Sequence, residues 1–290
     1  MVAVRLSEGS VAGVKDATVS FIGSGVMAEA MISGILGRGL TSPQNITASD
    51  PREERGQELA QRYGVLSTTD NRAAAGSARI VVFSVKPQVM AGLLEELRGA
   101  IDPAALVLSI VAGARIRTVS EGLGHHAVVR VMPNTPAQIG EGMSVWTATP
   151  AVDDHQRAQT GSILQALGEE VYLEDEDYLD MATALSGTGP AYVFLFMEAM
   201  IDAGVHLGFS RRIAQQLVLQ TVRGSVDFAK RSAAHPAELR NMVTSPGGTS
   251  AEALYQLEKG GFRTVLSRAI WAAYQKSRYL GELSSGEDSS

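Results

Sequence analysis

With 290 residues, 45% of them hydrophobic and 19% charged, the chain has the composition of a folded protein and length for two sizeable cores. A net charge of −6 with no basic stripe argues against a nucleic-acid partner. The absence of cysteine excludes disulfides and thiolate metal sites and accords with a reducing compartment.

Residues 1–16 lack a basic region followed by an apolar run, so they read as a disordered extension rather than a signal peptide. Residues 17–23 (ATVSFIG) form a short apolar run ending in glycine, the mark of a buried parallel strand. A helix is expected over 26–40, a strand over 45–49 and a helix over 52–63. Further buried strands are expected over 80–85, 106–110 and 127–132, with edge strands over 143–147 and 170–173. Strands alternating with helices imply an α/β, Rossmann-like domain with a mostly parallel sheet over 17–174. From 175 to 283 the expected runs are all helical: 178–185, 191–207, 211–231, 237–244, 250–259 and 262–283. Residues 284–290 read as a disordered tail. No apolar stretch reaches the ~18 residues that span a membrane.

Gly23-Ser24-Gly25-Val26-Met27-Ala28 is a G-x-G-x-x-A pattern between the first strand and the first helix. That context is what a dinucleotide fingerprint requires. Gly23 makes the tight turn, Gly25 admits the pyrophosphate, and Ala28 keeps helix and strand close. Asp50 ends the second strand, where an acid often binds the ribose of NAD. Arg52 and Arg55 follow at once, where arginine accommodates the 2′-phosphate of NADP. Equally, Asp50 caps the helix that opens at Pro51. Lys86, in Val85-Lys86-Pro87, and the small residues of Ser109-Ile110-Val111-Ala112-Gly113 also fall at strand ends, which face the ligand crevice in such sheets. Met132-Pro133-Asn134-Thr135-Pro136 is a stiffened turn after the next strand.

In the helical part, Ser186-Gly187-Thr188-Gly189-Pro190 reads either as a helix break or as a close approach to another subunit or to substrate. Ser245-Pro246-Gly247-Gly248-Thr249-Ser250 opens a helix. Glycines bring its backbone near a ligand, and a helix start aims free N–H groups at an anion. Because the upstream turn accounts for phosphates, a small carboxylate is the expected occupant. The histidines are unsuited to catalysis: His125 and His126 read as exposed loop residues, His235 as a helix start, and His206 as packed or capping.

In order and spacing, FIGSGVMAEAM, SVKP, SIVAG, MPNTP, LSGTGPAYVF and TSPGGTS resemble the pyrroline-5-carboxylate reductase family. The resemblance implies reduction of Δ1-pyrroline-5-carboxylate to L-proline, the final step of proline biosynthesis, by hydride transfer from NAD(P)H. NADP(H) is favoured and NAD(H) possible. It assigns the cofactor to Ile22, Gly23, Ser24, Gly25, Val26, Met27, Asn71, Val85, Lys86 and Pro87, with Ile110, Val111 and Ala112 near the nicotinamide. It assigns the substrate to Ser245, Gly247, Gly248, Thr249, Ser250 and Glu176. Ser250 stands where the family usually has threonine beside the ring nitrogen, and keeps the hydroxyl. No metal is needed, since a protonated imine is already electrophilic. The resemblance also implies a cytoplasmic homodimer with a shared site, extended in some members to a ring of five dimers, and no membrane partner. A β-hydroxyacid dehydrogenase or a related imine reductase is the competing enzyme class, but those usually need a lysine on the long helix, and Lys230, the one lysine between Glu176 and Lys259, sits late in its helix. A cofactor-binding regulator without turnover has no need of the 245–250 loop.

Overall fold

The computed structural model describes residues 14–285. An eight-stranded sheet has the order β3-β2-β1-β4-β5-β6-β7-β8. In chain order the strands are β1 (Val19–Ile22), β2 (Ile46–Ser49), β3 (Leu66–Thr68), β4 (Ile80–Phe83), β5 (Leu106–Ser109), β6 (Val128–Met132), β7 (Gly142–Ala148) and β8 (Gly168–Tyr172). All pairings are parallel except β6 with β7. The connecting helices are α1 (Val26–Gly37), α2 (Glu53–Tyr63), α3 (Asn71–Gly76), α4 (Met90–Leu97), α5 (Ile116–Leu123) and α6 (Asp154–Gln165).

The continuous apolar runs of the central strands have a physical cause, because both sheet faces are covered. On β4, Ile80 and Val82 enter one core with Met31, Ile32 and Ile163, while Val81 and Phe83 enter the other with Leu93, Leu97 and Val119. The strand order reverses at β1, which lies between β2 and β4. Ligands bind beyond the strand ends at such a switch point.

Several local expectations need correction. β3 was not anticipated: its outer side chains are exposed, so no apolar run announces it. β7 is an interior strand, paired on both sides, and not an edge. Val14 belongs to the core rather than to a disordered extension, and its carbonyl accepts the N–H of Ala17. Residues 1–13 and 286–290, most of the expected extension and tail, lie outside the described residues.

By contacts the chain forms two compact units. One holds the residues up to Thr188 together with the chain from Ala273 onward, and the other is Gly189–Ala272. Beyond the sheet come α7 (Asp177–Ala182), α8 (Gly189–His206), α9 (Arg211–Arg231), α10 (Pro236–Met242), α11 (Thr249–Lys259) and α12 (Phe262–Ser285). The expected break at Ser186–Pro190 is instead a π-turn over Thr183–Gly187, in which Thr188 N–H reaches back to the Thr183 carbonyl at 2.8 Å. The backbone therefore stays helical over Asp177–His206, a 30-residue run containing an 18-residue window of mean hydropathy 1.2. By length and composition this run could cross a membrane. The sequence reading missed it by treating the two segments as separate.

Candidate active site

β1 ends in Gly23, whose φ of +90° is open to glycine alone at low cost. A Cβ there would lie 2.8 Å from Val85 Cγ1 and 2.9 Å from the Ser84 carbonyl oxygen. The turn after β1 is thus pressed on the one after β4, and Ser84 Oγ donates to the Gly23 carbonyl at 2.5 Å. Gly25 differs: a Cβ there meets nothing within 4 Å. It caps α1 without any side-chain bond, so the first-turn N–H groups have no acceptor inside the helix. The backbone can approach a ligand at Gly25, as a pyrophosphate cradle needs.

Asp50 is drawn into this turn. Its Oδ2 accepts Ser24 N–H at 3.1 Å, and its Oδ1 accepts Arg52 N–H at 3.0 Å. The Arg52 guanidinium adds two more bonds. Burial alone would raise the Asp50 carboxyl, but these donors from Arg52 and Ser24 together hold it below the ordinary aspartate value. Helix α2 begins only at Glu53 with Arg52 as its cap, so Asp50 does not cap it and Pro51 precedes it. The two arginines part company. Arg55 is largely buried between the Ser24 carbonyl, Glu29 and Glu58, whereas the Arg52 side chain is 65% exposed.

Asn71 opens α3, and its Oδ1 accepts the Ser49 hydroxyl at 2.7 Å, which brings it beside the end of β2. Lys86 and Pro87 are exposed. Ile110 continues β5, its N–H bonded to the Phe83 carbonyl at 3.0 Å; Val111 is buried and Ala112 partly so. The structure therefore gathers the expected cofactor residues at the carboxyl ends of β1, β2, β4 and β5.

Sequence reasoning missed a buried ion cluster in the same unit. Arg130 on β6 donates to Glu176 at 2.8 Å and to Asp180 at 3.0 Å. Asp180 also accepts the Ser277 hydroxyl at 3.0 Å and faces Arg115, which pairs with Asp177. Glu176, expected at the substrate, uses its Oε1 for Arg130 and for the N–H of Ile116. A signal was present, since arginine inside the apolar run VVRVM must find buried partners. Asn134 donates to the Ser186 carbonyl in the π-turn at 3.1 Å.

In the helical unit, Gly247 has φ +71°, and a Cβ on Gly248 would lie 2.5 Å from Ser245 Oγ. Gly248 N–H closes the turn on the Ser245 carbonyl at 3.1 Å. Gly248 caps α11 without a side-chain bond, which leaves the N–H groups of Thr249 and Ser250 with no acceptor inside the helix. His125 corrects the sequence reading: it is buried, with Nε2 donating to the Ala105 carbonyl at 2.8 Å, because Gly124 turns the chain inward after α5. His235 caps α10, its Nδ1 accepting the Ala237 N–H, and His206 is exposed.

The chain is similar along its length to known proteins. It is 40% identical to the pyrroline-5-carboxylate reductase of Synechocystis sp., over 91% of this chain and 98% of that one. It is 42% identical to that of Pseudomonas aeruginosa, over 91% and 97%. The chain belongs to the pyrroline-5-carboxylate reductase family. Residues 176–280 match the family described as pyrroline-5-carboxylate reductase dimerisation, and residues 18–113 one described as NADP oxidoreductase, coenzyme F420-dependent. Among solved structures, the Plasmodium falciparum pyrroline carboxylate reductase with NADP bound superposes with a TM-score of 0.85 at 33% identity, covering 93% of this chain and all (100%) of that one. The Coxiella burnetii pyrroline-5-carboxylate reductase gives 0.84 at 34%, over 91% and 98%. Apolar side chains of α8, such as Phe194 and Leu195, stand exposed and lie within the span that matches the dimerisation family.

Proposed function

We propose that this chain reduces Δ1-pyrroline-5-carboxylate to L-proline with NADPH, the last step of proline biosynthesis. The observation that carries the reading is the likeness to pyrroline-5-carboxylate reductases over nearly the whole of both chains. NADH is the alternative reductant.

The residues fit the cofactor, since the Gly25 position is open and the α1 N-terminus faces it. Ile22, Gly23, Ser24, Gly25, Val26 and Met27 cradle the pyrophosphate. Arg52 meets the 2′-phosphate, because Arg55 is already enclosed by carboxylates. Asp50 orients Arg52 and the Ser24 amide. Asn71 lies on the adenine side, Val85, Lys86 and Pro87 flank the ribose, and Ile110, Val111 and Ala112 border the nicotinamide. When bound, the cofactor supplies a hydride to the imine carbon.

The substrate carboxylate sits on the turn formed by Ser245, Gly247 and Gly248, against the N–H groups of Thr249 and Ser250. Ser250 Oγ hydrogen-bonds the ring nitrogen and holds it in line. Catalysis is then mostly positioning and electrostatics. We read the enzyme as a cytoplasmic homodimer whose partner helices complete each site, with a ring of five dimers as its larger assembly.

Purified protein should oxidise NADPH or NADH when given the imine. Cofactor binding without turnover of that substrate would defeat the reading.

A further inference from the structure

We propose that Glu176 and the buried Arg130–Asp180 pair are positioning residues for the nicotinamide end of the cofactor, acting by holding residues 110–116. The inference rests on the reading that Ile110, Val111 and Ala112 border the nicotinamide.

After β5 the chain passes Ile110, Val111 and Ala112, turns at Gly113 with φ +75°, and enters α5 at Ile116. Three bonds pin the far end of this segment. Glu176 Oε1 accepts the Ile116 N–H at 2.9 Å, and Arg115 reaches Asp177 at 3.0 Å and Asp180 at 3.4 Å. The middle is pressed on α12, since a Cβ on Gly113 would lie 3.4 Å from the Gly281 nitrogen.

The acids that hold the segment are themselves held. Arg130, 3% exposed, bridges Glu176 and Asp180 from the strand next to β5. Asp180, 2% exposed, is tied further by Ser277. A strand-borne guanidinium fixes two carboxylates, and they fix the backbone that follows the nicotinamide segment. The Glu176 oxygen seen in these bonds already serves two donors. A second anion, the substrate carboxylate, would be repelled there.

Removing Arg130 would leave the buried Asp180 with only Arg115 at 3.4 Å and the Ser277 hydroxyl, so the more accessible Glu176 carries the test. Glu176→Gln should weaken NADPH binding about tenfold, the scale of one weakened charge-assisted hydrogen bond, and cut the rise in nicotinamide emission on binding. Affinity for adenosine 2′,5′-bisphosphate, which occupies only the adenine end, should stay unchanged, as should KM for the imine. Arg130→Lys, which keeps the charge but not the fork, should fall between wild type and Glu176→Gln. If imine KM rises while NADPH titrations match wild type, Glu176 meets substrate and the proposal fails. Loss of NADPH and the bisphosphate together, with a lowered thermal midpoint, also overturns it, as a general structural role. Ala112→Val separates the underlying reading: wild-type NADPH affinity and emission in that variant would mean the segment does not border the nicotinamide.

Discussion

Asp50 Oδ2 accepts the backbone N–H of Ser24 at 3.1 Å, so a carboxylate at the end of β2 closes the glycine turn after β1. The same carboxylate holds Arg52, and these donors depress its pKa despite burial. A depressed folded value stabilises the native state above the unfolded value near 3.8. That contribution is lost as pH falls through the lower folded value. Asp50→Asn should therefore cost about 1–3 kcal/mol near neutrality. The gap to wild type should close on acidification below the unfolded value, as followed by urea unfolding across pH.

Arg52 and Arg55 should separate in cofactor kinetics. Arg52→Ala should raise KM for NADPH about tenfold while leaving KM for NADH little changed, since each tenfold is about 1.4 kcal/mol and charged hydrogen bonds exceed that. Arg55→Ala opens the Ser24 carbonyl and Glu29 contacts instead, so it should impair both cofactors alike and lower Tm. Steady-state assays with both cofactors in parallel decide between these roles.

Gly25→Ala and Gly23→Ala form a matched pair. The Gly25 Cβ enters open space, whereas the Gly23 Cβ strikes Val85 and the Ser84 backbone at positive φ. Gly25→Ala should keep wild-type Tm yet lose cofactor affinity. Gly23→Ala should lose both, with a stability cost of about 1–3 kcal/mol. Calorimetry and cofactor titration on the same preparations read the contrast.

Ser250→Ala should lower kcat about a hundredfold, the typical effect of removing one preorganised donor, with cofactor affinity retained. Ser250→Thr should preserve most of the rate. Gly248→Ala, which drives a methyl toward Ser245 Oγ, should act mainly on KM for the imine.

Phe194→Glu, on the exposed apolar face of α8, should shift sedimentation toward the single chain and abolish turnover. Wild-type activity from a monomeric variant would refute a site shared between subunits.

How much of this was legible beforehand depended on what each residue needs from its surroundings. The central strands announced themselves because burial on both faces demands unbroken apolar runs, as in Ile80–Phe83. The glycine turns were legible because few residues tolerate such backbone. The exposed strand Leu66–Thr68 and the π-turn over Thr183–Gly187 were not, since neither leaves a periodic pattern.

The α/β-then-helical order and the glycine turns could be read from the chain because they follow from local backbone and burial requirements, and the family because its motifs stand in order and spacing. Only the tertiary structure decided that Asp50 braces Ser24 and Arg52, that Arg55 is enclosed, and that Arg130 gathers Glu176 and Asp180. Apart from Asp50 with Arg52 and Arg55 with Glu58, those partners lie tens of residues apart, as with Ser24 and Asp50 or Arg130 and Asp180. Which charge meets which carboxylate is set by how strands and helices pack, and spacing along the chain carries no record of it.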